Sequence, residues 1–109
     1  MTHILFDLNN CPSDLLDNED FVRFSAWNAV KESKSELINL TCHKFKPQGI
    51  TALAMLADSH LSIHTWPEKG VAYCDIFTCG EQCQPESAVE YLSKWLSSTN
   101  TKSKCYERI

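Results

Sequence analysis

Apolar and polar residues alternate along much of this chain, and a two-residue period is typical of β-strands with one buried face. Near the amino end, Ile4, Phe6 and Leu8 share one side of the alternation. A continuous apolar run at 50–57 favours a buried central strand. The whole pattern predicts strands at 4–8, 36–46, 50–57, 60–66 and 71–78, and a short last strand at 105–109 after a polar stretch at 97–104.

Two other segments have the period of helices. The first runs from about Asn18 to Ser33, with acidic residues in its first turn, where the helix dipole favours them. Its apolar residues form one broad stripe that we expect to lie on a sheet: Val22, Ala26, Ala29 and Val30, widened by Phe21, Phe24 and Trp27. The second helix begins near Pro85 and has apolar residues at helical spacing: Ala88, Val89, Leu92, Trp95 and Leu96.

The predicted order of elements is therefore β-α-β-β-β-β-α-β. Short turns between consecutive strands favour antiparallel neighbours. We predict an α+β fold, a two-layer sandwich with a mainly antiparallel sheet and two helices on one face. The chain shows no repeat or linker, so we expect a single domain over 1–109.

Composition and charge exclude several functional classes. Apolar residues make up 43% of the 109 residues, with only 3 glycines and 4 prolines, which excludes a disordered or collagen-like chain. The net charge is −4 and no cluster of Lys and Arg exists, so we expect no nucleic-acid partner. A chain of this size buries a modest core, which a dimer would enlarge.

The sequence also favours a cytoplasmic protein. The longest apolar stretch, at 50–57, is far shorter than the ~20 residues that span a bilayer, and the amino end lacks the basic region of a signal peptide. We therefore expect no membrane contact. The six cysteines lack the dense spacing of secreted disulfide scaffolds, so free thiols are the expectation: Cys11, Cys42, Cys74, Cys79, Cys83 and Cys105.

One stretch carries most of the candidate chemistry. Residues 58–68 read Asp-Ser-His-Leu-Ser-Ile-His-Thr-Trp-Pro-Glu, and Phe-Thr-Cys-Gly follows at 77–80. So many polar groups beside apolar strands cost about 1–3 kcal/mol each unless they are paired. A purely structural segment rarely carries this density.

Several interpretations of this stretch remain open from the residues alone. His60 and His64 share a strand face, which fits a plain surface pair. A zinc site would draw on these histidines with Cys74, Cys79 and Cys83, but their spacing matches no compact zinc module, so we expect no metal. A hydrolase with Cys79 as nucleophile and His64 as base is another possibility.

The motif Ser-His-Leu-Ser-Ile-His-Thr-Trp-Pro-Glu at 59–68, with Asp-Ile-Phe-Thr-Cys-Gly at 75–80, closely resembles the prokaryotic S-adenosylmethionine decarboxylase proenzymes. The resemblance extends back through His43-Lys-Phe45, Pro47 and Gly49-Ile-Thr51, and covers roughly Leu16 to Ser97. Such proenzymes cut themselves before the serine of this motif. The resemblance thus implies cleavage between Asp58 and Ser59 into a β chain, 1–58, and an α chain, 59–109.

The resemblance also implies the chemistry of each neighbour. Ser59 Oγ would attack the Asp58 carbonyl carbon, and elimination and hydrolysis would convert Ser59 to a pyruvoyl group, the only cofactor. His64 would remove the Cα proton of Ser59 during elimination, and Thr51 stands where the family has a supporting serine. In turnover the substrate amine would form a Schiff base with the pyruvoyl ketone, an electron sink for decarboxylation, and Cys79 would protonate the product carbon.

Substrate and assembly follow from the same resemblance. Phe45 and Trp66 would flank the adenine of S-adenosylmethionine, and Glu68 would bind the ribose hydroxyls. Without the family, a core role for both aromatics and a solvated turn for Glu68 would be the preferred interpretation. The product would be the aminopropyl donor for spermidine, and the enzyme would be a homodimer with its sites near the subunit contact.

The chain departs from the family pattern at several positions. Asp58 replaces the usual glutamate, Lys69 and Cys74 replace small or apolar residues, the usual Gly-x-His opening is missing, and the carboxyl end is short. Two alternatives follow. A pyruvoyl-dependent decarboxylase of arginine or ornithine would keep the whole mechanism, although Trp66 and Glu68 favour the nucleoside substrate. A non-catalytic homologue would regulate an active partner, although Ser59, His64 and Cys79 are all present.

Overall fold

The structure, a computed structural model, describes all of residues 1–109. Its main feature is one six-stranded, fully antiparallel sheet in the order β2-β3-β4-β5-β1-β6. The strands are β1 (Thr2–Asn9), β2 (Leu37–Lys44), β3 (Ile50–Leu56), β4 (Ser59–Trp66), β5 (Val71–Thr78) and β6 (Asn100–Glu107). The helices are α1 (Ser13–Leu16), α2 (Glu19–Glu32) and α3 (Pro85–Trp95), and a 3-10 turn spans Pro67–Lys69.

The helices cover one face of the sheet and leave the other face open. Helix α2 lies over β2, β3 and β4, and helix α3 lies over β1 and β5. Each inner strand sends alternate residues into the layer between sheet and helices, so the core includes Phe6, Leu61, Ile63 and Ile76. This arrangement confirms the predicted α+β two-layer sandwich.

The ends of the helices follow from local sequence signals. The Asn18 side chain accepts a hydrogen bond from the Phe21 amide at 3.0 Å and caps α2, and Pro85 occupies the first turn of α3. The predicted width of the α2 stripe was wrong, however. Phe24 and Trp27 are 50% and 43% exposed, because they lie beside Leu40 of the edge strand β2, where the sheet ends.

The last strand also differs from its prediction. It spans Asn100–Glu107 and pairs with β1 along its whole length, whereas the sequence predicted a short strand at 105–109. All eight of its residues are exposed, so no alternation of apolar residues marks it. Its backbone ladder with β1 holds it at the sheet edge, together with a side-chain contact between Thr101 and Ser93 of α3. Lys102 and Lys104 are typical of protected edge strands.

The cysteines are all free thiols, and two of them are buried in the core. All six cysteines are unpaired, and no helix is long and apolar enough to cross a bilayer. Burial raises the pKa of the Cys11 thiol to about 11, against a smaller opposing effect of its contact with Ser98. Burial likewise raises the pKa of Cys74 far above its ordinary value. Both thiols are therefore protonated at neutral pH and act as small core residues.

Candidate active site

A first cavity of about 240 Å³ opens where β3 begins and β4 ends. Thr51 and His64 are register partners on these strands, and Thr51 Oγ1 lies 3.1 Å from His64 Nδ1. The predicted binding residues Phe45, Trp66 and Glu68 line the same cavity. The structure therefore brings together five of the residues that the sequence singled out.

The β2–β3 turn that carries Phe45 is held by one carboxylate. Asp17 Oδ1 accepts hydrogen bonds from Lys44 Nζ at 2.7 Å and from the Gly49 amide at 2.9 Å. Gly49 has φ of 103°, and an added Cβ would lie 3.2 Å from the Thr65 carbonyl oxygen, so the turn requires glycine here. Asp17 thereby fixes one wall of the cavity. Sequence reasoning missed Asp17, since its partners lie 27 and 32 residues away.

Two further contacts shape the opposite wall. The Thr65 hydroxyl is buried, donates to the Leu16 carbonyl at 2.8 Å and accepts from the Ile50 amide at 2.9 Å, which ties β4 to α1 and β3. Trp66 stands on the open face of the sheet and meets the Tyr73 ring edge-on at 5.3 Å between centroids. Glu68 follows in the 3-10 turn and is exposed to solvent.

A second cavity of about 220 Å³ lies at the other end of β4. It is lined by Asp58, Ser59 and Cys79, the two residues of the predicted scissile bond and the predicted proton donor. Cys79 Sγ donates to the Asp58 carbonyl oxygen at 3.1 Å. A donor at this oxygen would stabilise the negative charge that develops there when a nucleophile adds to the carbonyl carbon.

The scissile position lies in a tight turn between β3 and β4. Ala57 and Asp58 alone connect Leu56 to its register partner Ser59, and Asp58 has φ of 63°. A non-glycine residue in this left-handed region costs roughly 1–2 kcal/mol, and aspartate is among the residues that tolerate it best. Aspartate, which stands where the resemblance leads one to expect glutamate, is thus compatible with this turn.

The two cavities are well separated within one chain. Ser59 and His64 are five residues apart on β4, which corresponds to about 17 Å at the rise of a β-strand. An odd spacing also directs their side chains to opposite faces. One chain therefore does not bring His64 and Thr51 to the Asp58–Ser59 bond.

The open face of the sheet carries a polar cluster that the sequence did not predict as a unit. Asp75 Oδ2 lies 2.6 Å from His60 Nε2 and 2.8 Å from His3 Nε2, and Asp75 Oδ1 accepts from the Ser62 hydroxyl. Burial favours a raised pKa for Asp75, but the hydrogen bonds from Ser62, His3 and His60 outweigh it and lower the pKa. His60 is therefore a hydrogen-bonded partner of Asp75.

Large apolar side chains surround this cluster on the open face. Leu5, Leu53, Met55 and Tyr73 are each more than 40% exposed. A groove of about 640 Å³ beside them is also lined by Ser59 and Asp75. An apolar surface of this extent on one face is typical of a protein interface.

The other departures from the family pattern lie away from the predicted chemistry. Cys74 faces the helix layer and is 7% exposed, so it belongs to the core. Lys69 ends the 3-10 turn after Glu68. Neither side chain lines either of the two cavities.

The structure thus defines a class: a small α+β sandwich whose open-faced sheet holds a serine–thiol cavity at one end and a histidine–aromatic cavity at the other. A sequence profile of the family described as S-adenosylmethionine decarboxylase matches residues 2–109. The chain belongs to this family.

Individual relatives agree with the profile. The chain is 46% identical over 106 residues to the S-adenosylmethionine decarboxylase proenzyme of Prochlorococcus marinus (strain MIT 9313), covering 97% of this chain and 85% of that protein. It is 44% identical over 100 residues to the proenzyme of Methanococcus maripaludis, covering 92% and 82%. The crystal structure of the adenosylmethionine decarboxylase from Aquifex aeolicus superimposes with a TM-score of 0.91 at 34% identity, covering 98% and 88%.

The Asp17 contacts predict a pH dependence of stability. The hydrogen bond from Lys44, then that from the Gly49 amide, holds the pKa of Asp17 below its ordinary value. A lowered folded-state pKa stabilises the protein above the unfolded pKa, and this stabilisation is lost as pH falls from about 4 through the folded-state value. We expect Asp17→Asn to flatten the decline of the unfolding free energy over this range, measured by urea denaturation.

Asp14→Asn is the control, since Asp14 lies on the adjacent α1 helix and makes no side-chain hydrogen bond. The control should keep the wild-type slope. A slope in Asp17→Asn equal to that of the wild type would contradict the role given to this carboxylate.

Proposed function

We propose that this chain is a self-processing decarboxylase of S-adenosylmethionine whose pyruvoyl group is made from Ser59. The observation that carries the proposal is the scissile turn: Asp58 in a left-handed conformation, Ser59 directly after it, and the Cys79 thiol on the Asp58 carbonyl oxygen. The names of the family and of the relatives supply the substrate.

Processing consumes only water. The Ser59 hydroxyl adds to the Asp58 carbonyl carbon, the amide nitrogen leaves, and an ester replaces the peptide bond. Removal of the Ser59 Cα proton then expels the Asp58 carboxylate, which ends the chain 1–58. Hydrolysis of the remaining enamine releases ammonia and leaves a ketone at the start of the chain 59–109. Ser59 and the thiol donor fit this sequence, because the nucleophile and its carbonyl are neighbours in the turn.

The ketone supplies an electron sink for loss of carbon dioxide, which is the chemistry that pyridoxal performs elsewhere. The protein residues bind and orient the substrate and supply a proton. Cys79 is the proposed proton donor to the substrate carbon, since its thiol lies at the Asp58 carbonyl oxygen, beside the Ser59 position where the ketone forms. His64, hydrogen-bonded to Thr51, is the proposed base of processing.

The first cavity suits a nucleoside. Phe45 and Trp66 offer aromatic faces to a purine, and Glu68 offers a carboxylate to two adjacent hydroxyls. Arginine and ornithine have neither a purine nor adjacent hydroxyls, so the residues that line this cavity favour S-adenosylmethionine over them. The product would serve as the aminopropyl donor for spermidine.

The separation of the two cavities supports a homodimer. About 17 Å of strand lies between Ser59 and His64 in one chain, so a second copy must bring the histidine cavity to the scissile turn. In the proposed dimer, two copies pack open face against open face about a two-fold axis that lies between the sheets and is perpendicular to β4. The two β4 strands then run in opposite directions, so the end with Ser59 in one copy lies over the end with the partner's His64.

The open face supports this geometry. It exposes Leu53, Met55 and Tyr73, which a second sheet would cover. Ser59 borders the groove on this side at the end of β4, although its side chain alternates toward the helix-covered face, so the shared site would form around this strand end. Each dimer would then contain two sites, each with Ser59 and Cys79 from one chain and Thr51, His64, Phe45, Trp66 and Glu68 from the other.

Ser59→Ala tests the proposed function. Without a hydroxyl the acyl shift is impossible, so we expect one uncut chain and no release of carbon dioxide. The wild type should give two chains whose summed mass exceeds that of the uncut chain by one water minus one ammonia, measured by intact-mass spectrometry. Carbon dioxide release should be fast with S-adenosylmethionine and at background with arginine or ornithine.

Ser103→Ala, on the exposed edge strand β6, is the matched control and should behave as the wild type. An uncut wild-type chain would refute the self-processing enzyme and favour the non-catalytic homologue. A cut chain that prefers arginine or ornithine would refute the substrate alone.

Cys79 variants test its two proposed contacts separately. Cys79→Ala removes the donor at the Asp58 oxygen and should slow cleavage about 10-fold, while turnover of the cleaved enzyme should fall about 100-fold or more. Cys79→Ser keeps a hydroxyl donor and should restore cleavage, but not turnover, because the hydroxyl is a weaker acid. Cleavage is followed by gel electrophoresis and turnover by carbon dioxide release.

Cys83→Ala is the control, since Cys83 lines the same cavity without contacting the scissile bond. Equal losses of cleavage and turnover in Cys79→Ala would contradict the assignment of Cys79 as proton donor.

A further inference from the structure

Asp75 joins three strands through one carboxylate. It lies on β5 opposite Ser62, and its oxygens contact His60 and Ser62 of β4 and His3 of β1. Asp75 and His3 are about one-fifth exposed, whereas His60 is 46% exposed. The carboxylate and one imidazole are therefore sheltered, and the second imidazole extends toward the groove that Ser59 lines.

The hydrogen-bond pattern fixes the role of each group. Asp75 is a carboxylate with a lowered pKa, so both imidazoles donate to it through Nε2–H. Arg108 Nη1 lies 3.5 Å from His3 Nδ1, and a guanidinium can only donate, so Nδ1 carries the lone pair. A metal ion on the His3 Nε2 atom would require a proton on Nδ1 facing that guanidinium. The cluster therefore fits a hydrogen-bonded anchor better than a metal site.

The anchor lies next to the proposed cleavage position. His60 directly follows Ser59, so its backbone nitrogen is the atom to which the new ketone-bearing group would be attached. Before cleavage, the two-residue turn holds Ser59 from one side. After cleavage this turn is open, and the Ser59 position becomes a chain end, where strands fray. His60 carries the first side chain that ties this end to the sheet.

We infer that Asp75 is a positioning residue for turnover: through His60 it holds the newly formed amino end of the α chain where substrate must meet it. This rests on the proposed function, since it requires cleavage before Ser59. Asp75 touches neither the scissile bond nor the first cavity. Its removal should therefore lower kcat while leaving cleavage and KM close to those of the wild type.

The experiment compares cleaved wild type with Asp75→Asn. Displacement of a reacting group by about 1 Å costs up to about 100-fold, so we expect kcat to fall about 10- to 100-fold with KM for S-adenosylmethionine changed less than about 3-fold. Asp7→Asn is the matched control, because Asp7 lies on the same face of the sheet as His3 and Asp75 but makes no side-chain hydrogen bond. It should keep the wild-type kcat.

A pair of His60 variants keeps the inference testable should Asp75→Asn fold poorly. The His60→Gln side chain retains an N–H donor for Asp75 and should keep kcat within about 3-fold of the wild type, whereas His60→Leu should lose as much as Asp75→Asn. Unchanged kcat in both His60→Leu and Asp75→Asn would overturn the inference. So would equal losses in His60→Gln and His60→Leu, or a loss confined to KM or to cleavage.

Two measurements distinguish the anchor from a metal site and from a failure of self-processing. A chelator should leave the wild-type kcat unchanged, and a loss that Zn²⁺ restores would replace the anchor with a metal site. Intact-mass spectrometry of the wild type reports on the proposed function alone. A wild type that is cut and active, with normal kcat in Asp75→Asn, would refute the anchor and leave the proposed function standing.

Discussion

The length of one β-strand constrains how this protein can work. Strand β4 begins at Ser59 and carries His64 near its other end, and an extended backbone cannot shorten the distance between them. Both neighbours of β4 pair with it along nearly its whole length, so the strand cannot bend to close the gap. The serine–thiol half and the histidine–aromatic half of the proposed site are therefore separate features of each chain, and the proposed mechanism requires an assembly that joins them.

The same constraint gives the two faces of the sheet different tasks. The helix-covered face buries Phe6, Ile63 and Ile76 and supplies the stability that keeps the strands in register. The open face carries the Asp75 cluster and the apolar side chains around it, and the two cavities lie at opposite ends of β4. Hydrogen bonds from distant parts of the chain then fix the loops. Asp17 holds the turn that bears Phe45, and Thr65 ties the end of β4 to α1.

Much of this fold could be predicted from periodicity, because alternation reports burial. The inner strands alternate visibly, as at Leu61 and Ile63, whereas the edge strand β6 is exposed throughout and carries no such signal. Phe24 and Trp27 matched a helical stripe, yet the sheet does not extend beneath them. Apolar residues at helical spacing indicate which side of a helix is buried, but how many of them are buried depends on the extent of the sheet that packs against that side.

The candidate site likewise contains residues that the sequence predicts and residues that it does not. A local motif contained Ser59, His64, Trp66 and Glu68, and the resemblance to a family assigned their roles. Asp75 opens the motif at 75–80, but its contacts could not be predicted, because His3 lies 72 residues and His60 15 residues from it and only the sheet register brings them together. Asp17 reaches Gly49 across 32 residues in the same way. Contacts of this kind depend on tertiary structure, which a sequence motif does not encode locally.

The most direct test of a site shared between two chains uses two inactive variants in one cell. Ser59→Ala lacks the nucleophile and His64→Ala lacks the base, so neither should be processed alone. When both chains are expressed together, random pairing gives mixed dimers in about half of the cases, each with one complete site, and total activity should reach about a quarter of the wild-type level. Only the His64→Ala chain should be cut. No cleavage and no activity in the mixture would contradict a site built from two chains.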